Sequence, residues 1–202
     1  MKKDLYLMRH GQTLFNEQKR VQGACDSPLT ELGCEQAARA GQFFEERGID
    51  FDALYASTQE RACDTLEIVT GRTDYERLKG LKEWNFGLFE GQPEFLQPKR
   101  RPGALSFEDL HVPYGGESVN QVSQRMKKSL IGIMEREDGP VLVVSHGGAI
   151  WAFMLALGVT ERPKGARFGN CMICHYVVED GQFDLVEMID PLAKEGEQVI
   201  KQ

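Results

Sequence analysis

Apolar positions along this chain fall into short blocks with two different spacings. Leu5, Tyr6, Leu7 and Met8 form a continuous run between Asp4 and an Arg-His-Gly triplet, which predicts a buried strand over Asp4 to Met8 ending at a turn. Ser27-Pro28-Leu29-Thr30 then reads as a loop closing on a helix N-cap at Thr30. Leu32, Ala37, Ala40 and Phe44 recur at helical spacing, and the helix should stop at Gly48. A second apolar run, Ala53 to Ala56, leads through Ser57 into a helical stretch that ends at Gly71. Strands alternating with helices predict an α/β fold.

Residues 92 to 116 break the pattern, with four prolines, several glycines and weak periodicity, and read as an irregular surface excursion able to act as a lid or substrate loop. From Glu117 onward Val119, Val122, Met126, Leu130 and Ile133 mark one helix face, closed by Gly139-Pro140. Val141 to Val144 are all apolar, as suits a strand covered on both faces of a sheet, and Ser145-His146-Gly147-Gly148 follows directly. A helical stretch from Ala149 to Leu157 comes next. The tail alternates through Met172 to Val178 and Phe183 to Met188, with Glu179-Asp180-Gly181 as a hairpin turn. No internal repeat interrupts this order, and 202 residues with 41% hydrophobic content suit one domain, 1–202, with its lid around 92–116.

A formal net charge of -7 makes the bulk surface repel nucleic acid and anionic membrane, so any bound anion requires a local basic pocket. No apolar run approaches the roughly 18 residues that span a bilayer, and Met1-Lys2-Lys3 passes at once into Asp4 in place of an apolar signal core. These features predict a cytoplasmic protein. Five cysteines, at 25, 34, 63, 171 and 174, are odd in number and irregular in spacing, which argues against a disulfide framework. Cys171-Met172-Ile173-Cys174-His175 has the spacing of a haem attachment site, a redox pair or half a zinc site. All three are rejected, because a strand there turns neighbouring side chains to opposite faces and no second Cys-x-x-Cys pair exists.

The chemistry enters through a duplication. Two strand candidates each end in a His-Gly pair, His10-Gly11 and His146-Gly147, and in open α/β sheets ligands bind outside the carboxyl ends of the strands. Either pair alone is an ordinary turn. A third strand leads through Ser57 to Arg61 at a helix start, so Arg9, Arg61 and both histidines are expected to converge. Guanidinium forks match phosphate oxygens and stay charged at any working pH. A neutral His10 could act as nucleophile, with His146 donating to the phosphoryl oxygens in the transition state. The flanking glycines, Gly147 among them, would admit a ligand close to the backbone. A leaving alkoxide needs a proton, and Glu83 is the candidate acid, its carboxyl expected to be desolvated by neighbouring aromatic groups such as Trp84 and Phe86.

Leu7-Met8-Arg9-His10-Gly11-Gln12-Thr13 resembles the opening signature of the histidine phosphatase superfamily, the phosphoglycerate mutase-like proteins. The resemblance continues in order through Asn16, Gln22-Gly23, Asp26 to Thr30, Gly33, Gln36-Ala37, Ser57 to Thr65, Glu83 with Gly87 and Glu90-Gly91, Gly115 to Ser118, and Val144 to Gly148. It implies a three-layer α/β/α sandwich with a mostly parallel central sheet, and a phosphohistidine at His10. It further implies a phosphate pocket from Arg9, Arg61 and His146, proton donation by Glu83, and Asn16, Gln22 and Gly23 on the substrate side. It implies no metal, and no cofactor is expected.

Mutases and phosphatases of this kind share the pocket and differ in who receives the phosphoryl group. Cofactor-dependent mutases resemble longer chains with a large insertion after the glutamate block, whereas here 33 residues, 84 to 116, separate Glu83 from Glu117. The expectation is therefore a metal-independent phosphomonoester hydrolase acting on a small phosphorylated metabolite, with no nucleic-acid or membrane partner. A phosphoglycerate mutase is the alternative, and a silent phosphate-binding module is a more remote one that the presence of all five pocket residues disfavours. Lys99-Arg100-Arg101 is a candidate reader of a second anionic group on the substrate.

Overall fold

The computed structural model describes residues 1–161, 168–193 and 199–201. Strand β1 (Lys3–Arg9) is followed by a single helical turn, α1 (Leu14–Glu17), then α2 (Glu31–Glu46), β2 (Ala53–Ser57), α3 (Glu60–Thr70) and β3 (Glu76–Leu78). After a stretch of 3-10 turns come α4 (Val119–Arg136), β4 (Val141–Ser145), α5 (Gly147–Ala156) and strands β5 (Ile173–Glu179), β6 (Gln182–Ile189) and β7 (Val199–Lys201). The seven strands of the described residues form one sheet in the order β3-β2-β4-β1-β5-β6-β7. Strands β3, β2, β4 and β1 run parallel, β5 reverses, and the β5-β6 and β6-β7 pairs are antiparallel, so β6 shares the direction of the first four.

Side-chain alternation sorts the central strands between two cores. Leu5, Leu7, Tyr55, Val141 and Val143 face α4 and α5, while Tyr6, Met8, Leu54, Ala56, Leu142 and Val144 face α2 and α3. Helices on both faces make the sandwich three-layered. Each of the four apolar β4 residues is fully buried. At roughly 1.5–3 kcal/mol for burying an aliphatic side chain, each of them contributes substantially to the sheet.

Helices α2 and α4 begin at side-chain caps, that of α2 at Thr30 as expected. Thr30 Oγ accepts from Gly33 N at 3.0 Å, and Ser118 with Gln121 closes a capping box on α4. Gly71 ends α3 with φ of 65°. In the β5-β6 hairpin Asp180 and Gly181 both take positive φ, 49° and 76°, as a tight two-residue turn demands.

Three details depart from the expected pattern. Leu32 is half-exposed, and Gly33 takes the buried place at the start of α2. Helix α4 ends at Arg136, before Gly139-Pro140. Strands β3 and β7 and the short α1 lack the apolar spacing that would have announced them. Residues 92–116 are irregular as expected, with only the 3-10 turns Glu94–Leu96 and Val112–Tyr114. They are nevertheless anchored, since His111 and Ser106 are buried and Trp151 Nε1 donates to Leu105 O at 2.8 Å. Cys171 and Cys174 pack into opposite cores, and burial pushes both thiols up to about 12. Among the described residues no helix is long and apolar enough to cross a membrane.

Candidate active site

Four parallel strands end on one edge of the sheet, and each delivers part of a single cluster. In the β1-β4 ladder Arg9 lies opposite Ser145, so the next residues, His10 and His146, leave the sheet side by side. Their ring centroids are 5.2 Å apart. Strand β2 continues through Ser57 and Gln59 into α3 and Arg61, and the chain after β3 turns back to bring Glu83 to the first turn of α5.

The backbone of His10 is fastened on several sides. Its N–H donates to Ser145 O at 3.1 Å, and its carbonyl accepts from Cys171 N at 3.3 Å and Asn170 Nδ2 at 3.2 Å. Gly11 N donates to Thr65 Oγ on α3 at 3.0 Å. His10 Nδ1 lies 2.7 Å from Gly11 O, and a carbonyl oxygen can only accept. The ring proton is thereby placed on Nδ1, leaving a lone pair on Nε2. Burial, followed by the positive charges of Arg61 and Arg9, holds His10 well below its ordinary 6.5 despite the opposing effect of the Gly11 bond. The imidazole is neutral at pH values near 7.

His146 is fully buried, and its Nε2 lies 2.7 Å from Ser57 Oγ. Ser57 Oγ accepts from Gln59 N at 3.1 Å and keeps its own hydrogen, so it can donate to Nε2, the arrangement that puts the histidine proton on Nδ1. That Nδ1, like Arg9 Nε, is buried with no partner among the described residues. With the proton on Nδ1, these are two unmet buried donors beside the free His10 Nε2 lone pair, a setting suited to an anion. Burial first, then Arg61 and His10, also hold His146 well below 6.5.

The two arginines are not equivalent. Arg61 is fully buried and donates from Nη1 to Cys25 O (3.0 Å) and Asp26 Oδ1 (2.7 Å), and from Nη2 to Gly23 O (2.9 Å). Gln22, oriented to satisfy both its ends, puts nitrogen 2.7 Å from Thr13 Oγ and oxygen 3.3 Å from Arg61 Nε. One N–H, on Nη2, then remains uncommitted. Among the described residues Arg9 makes one side-chain hydrogen bond, Nη1 to Phe168 O at 3.0 Å, which leaves most of its fork uncommitted there.

Glu83 differs from expectation in its surroundings. Its oxygens meet backbone N–H groups: Oε1 accepts from Trp84 N (2.7 Å) and Ala149 N (2.8 Å), and Oε2 from Gly148 N (3.0 Å). The Trp84 ring, expected beside the carboxyl, stacks on Phe86 and donates its Nε1 to Glu117 O at 2.7 Å. One lone-pair direction on Oε2 stays open.

The residues expected on the substrate side are largely committed to structure. Asn16 Oδ1 accepts from Thr13 N and Asn170 Nδ2, both at 3.2 Å, and Gln22 braces Arg61. Gly23 has φ of 55° and offers its carbonyl to Arg61 and to Gln59 Nε2. Gly147 lies against Arg9, since a Cβ there would stand 3.3 Å from Nε. The basic run is no free arm: Arg100 covers the Phe107 ring at 5.1 Å, and Arg101 pairs with Glu108 (2.6 Å) and Asp109 (2.7 Å). Asn170, Gln59 and Arg125 brace the cluster without having been singled out from sequence. Their contacts are long-range, and no local pattern carries them.

Residues 5–191 match the histidine phosphatase superfamily (branch 1). The chain is 33% identical over 179 residues to "Probable phosphoglycerate mutase GpmB" of Yersinia pestis (strain Pestoides F), covering 84% of this chain and 82% of that protein. It is 32% identical over 154 residues to "Fructose-2,6-bisphosphatase TIGAR B" of Danio rerio, covering 72% of this chain but only 57% of that one. The crystal structure of phosphoglycerate mutase from Bacillus anthracis str. Sterne superposes with a TM-score of 0.79 at 28% identity, over 91% of both chains.

Proposed function

Because the chain belongs to the histidine phosphatase superfamily (branch 1), whose members are phosphatases or mutases, we propose that it is a metal-independent phosphomonoester hydrolase working through a phosphohistidine at His10. The observation that carries this reading is the His10 tautomer: Nδ1 is tied to Gly11 O, and a free Nε2 lone pair lies beside Arg9, Arg61 and His146.

Nε2 attacks phosphorus and forms the N–P bond as the ester P–O bond breaks. The Arg9 fork, the remaining Arg61 N–H and His146 Nδ1–H hold the equatorial oxygens. A protonated Glu83 gives its proton to the leaving alkoxide, and the resulting carboxylate then takes one from water as the water oxygen displaces His10 from phosphorus. The products are the alcohol and inorganic phosphate, with His10 and Glu83 restored. The substrate is a small phosphorylated metabolite, and the site calls for no partner macromolecule.

Phosphate release from an aryl phosphate and a panel of phosphorylated metabolites, measured with EDTA, tests the reading. Turnover that resists EDTA and disappears in His10→Ala supports it. No release from any compound by the wild type contradicts it. The likeness to proteins named as phosphoglycerate mutases favours one second reading, transfer between hydroxyls of a sugar acid. That reaction needs a bisphosphorylated primer, whereas hydrolysis needs none.

A further inference from the structure

Glu83 stands on an irregular stretch between two 3-10 turns, Lys79–Leu81 and Gly87–Phe89, yet its carboxyl must meet both the α5 amides and a leaving oxygen. Loops hold such positions less well than helices and strands do. A side chain on α4 supplies what the loop lacks. Arg125 donates from Nη1 to Gly80 O (3.0 Å) and Lys82 O (2.6 Å), and from Nη2 to Glu83 O (2.8 Å) and Glu117 Oε2 (2.9 Å). Its Nε donates to Glu117 Oε1 at 2.8 Å. All five guanidinium N–H donors are therefore used, three on backbone carbonyls of the Glu83 loop and two in a fork to one carboxylate.

Glu117 completes the clamp from the other side. Its Oε2 also accepts from Asn85 N at 3.0 Å, its carbonyl accepts from Trp84 Nε1 at 2.7 Å, and its own N–H donates to Asn85 O at 2.8 Å. The backbone is thus gripped immediately before and after Glu83, from a rigid helix, by groups that do not touch the phosphate cluster. Both side chains remain about a fifth to a quarter exposed, so neither is a buried charge that the core must accommodate.

We propose that Arg125, acting through its fork to Glu117, is a positioning residue that sets the Glu83 carboxyl against the leaving oxygen. This rests on the reading of Glu83 as the proton donor. An alkoxide leaves poorly without a proton, whereas a nitrophenolate departs readily without one, so the role separates by leaving group.

The test compares Arg125→Met and Glu117→Gln with wild type on an alkyl phosphate and on p-nitrophenyl phosphate, and repeats Arg125→Met in a Glu83→Gln background. Expected is a fall in kcat on the alkyl phosphate of about 10²-fold, at least tenfold greater than on the aryl phosphate, with KM little changed. In the Glu83→Gln background the further loss should stay below about threefold, because the same function is already gone. Equal losses on both substrates in Glu117→Gln, or losses that multiply in the double variant, overturn the positioning role. Glu117→Gln keeps the shape but turns an NH2 group towards an Arg125 donor and so breaks the fork, which lets the result stand even where Arg125→Met folds poorly. A wild type with no His10-dependent release overturns the proposed reaction and this role together, whereas normal wild-type turnover with unselective losses overturns this role alone.

Discussion

Gly148 N donates to Glu83 Oε2 at 3.0 Å, and a Cβ at position 148 would stand 2.7 Å from Glu83 Oε1. The absence of a side chain is thus what lets the carboxyl rest on the first turn of α5. Gly148→Ala should displace Glu83 and lower kcat on alkyl phosphates by about 10–100-fold. Melting should change little, because Gly148 has helical backbone in the first turn of α5. Steady-state kinetics beside thermal unfolding would check this, and unchanged kcat would mean that Glu83 does not act from this position.

Ser57 Oγ lies 2.7 Å from His146 Nε2, and donation of its hydrogen there keeps the ring proton on Nδ1. Ser57→Ala frees the ring to take the other tautomer, which removes the Nδ1–H donor from part of the population. A loss of roughly tenfold in kcat is expected, smaller than the 10²–10³ typical of removing a transition-state donor outright. Vanadate affinity, a readout of transition-state geometry, should weaken in parallel.

Gly33 and Gly11 press the start of α2 against the loop that carries His10. A Cβ on Gly33 would lie 2.0 Å from Gln12 O, and one on Gly11 would lie 2.6 Å from Gly33 O. The obstructing atoms are backbone and cannot swing aside. Gly33→Ala should cost about 1–3 kcal/mol of stability in chemical denaturation and reduce turnover by disturbing the His10 loop.

Acid sensitivity follows from three histidines. His111 is fully buried among Phe86, Phe89, Phe107 and Trp84, with both ring nitrogens lacking partners among the described residues, and burial lowers its pKa from 6.5. His10 and His146 are lowered as well. A histidine whose folded value is depressed binds its proton preferentially in the unfolded chain, so stability is intact above the ordinary value and is lost as pH falls through it. The melting temperature should therefore drop between about pH 7 and about pH 5, and His111→Phe should drop less steeply than wild type. Parallel slopes for the two proteins would contradict the assignment to His111.

Much of the cluster was legible in the sequence because parallel strands make a simple rule. Apolar runs at Leu5 to Met8 and Val141 to Val144 announce buried strands, and whatever follows their carboxyl ends must share one edge, which brings His10 to His146. Glu76 and Arg77 gave no comparable signal, since β3 is an edge strand with exposed polar residues. The sequence could not show the partners of Glu83 and Gln22. Trp84 follows Glu83 in the chain, and adjacency suggested an aromatic wall, but the two side chains point to different partners. Gln22 lies near the site yet spends its amide on Thr13 and Arg61. Such choices depend on where distant carbonyls fall, and Arg125, which gathers three of them, was invisible for the same reason.

The most direct measurement is to trap the phosphoenzyme. The protein is mixed with a phosphate monoester, quenched in alkali, where phosphohistidine survives and phosphoserine is cleaved, and its peptides are read by mass spectrometry. The account predicts one phosphoryl group on the peptide carrying His10, absent in His10→Ala and more abundant in Glu83→Gln when a good leaving group is used, because hydrolysis then lacks its base. Rapid turnover of substrate with no phosphoryl group on His10 in either the wild type or Glu83→Gln would contradict it.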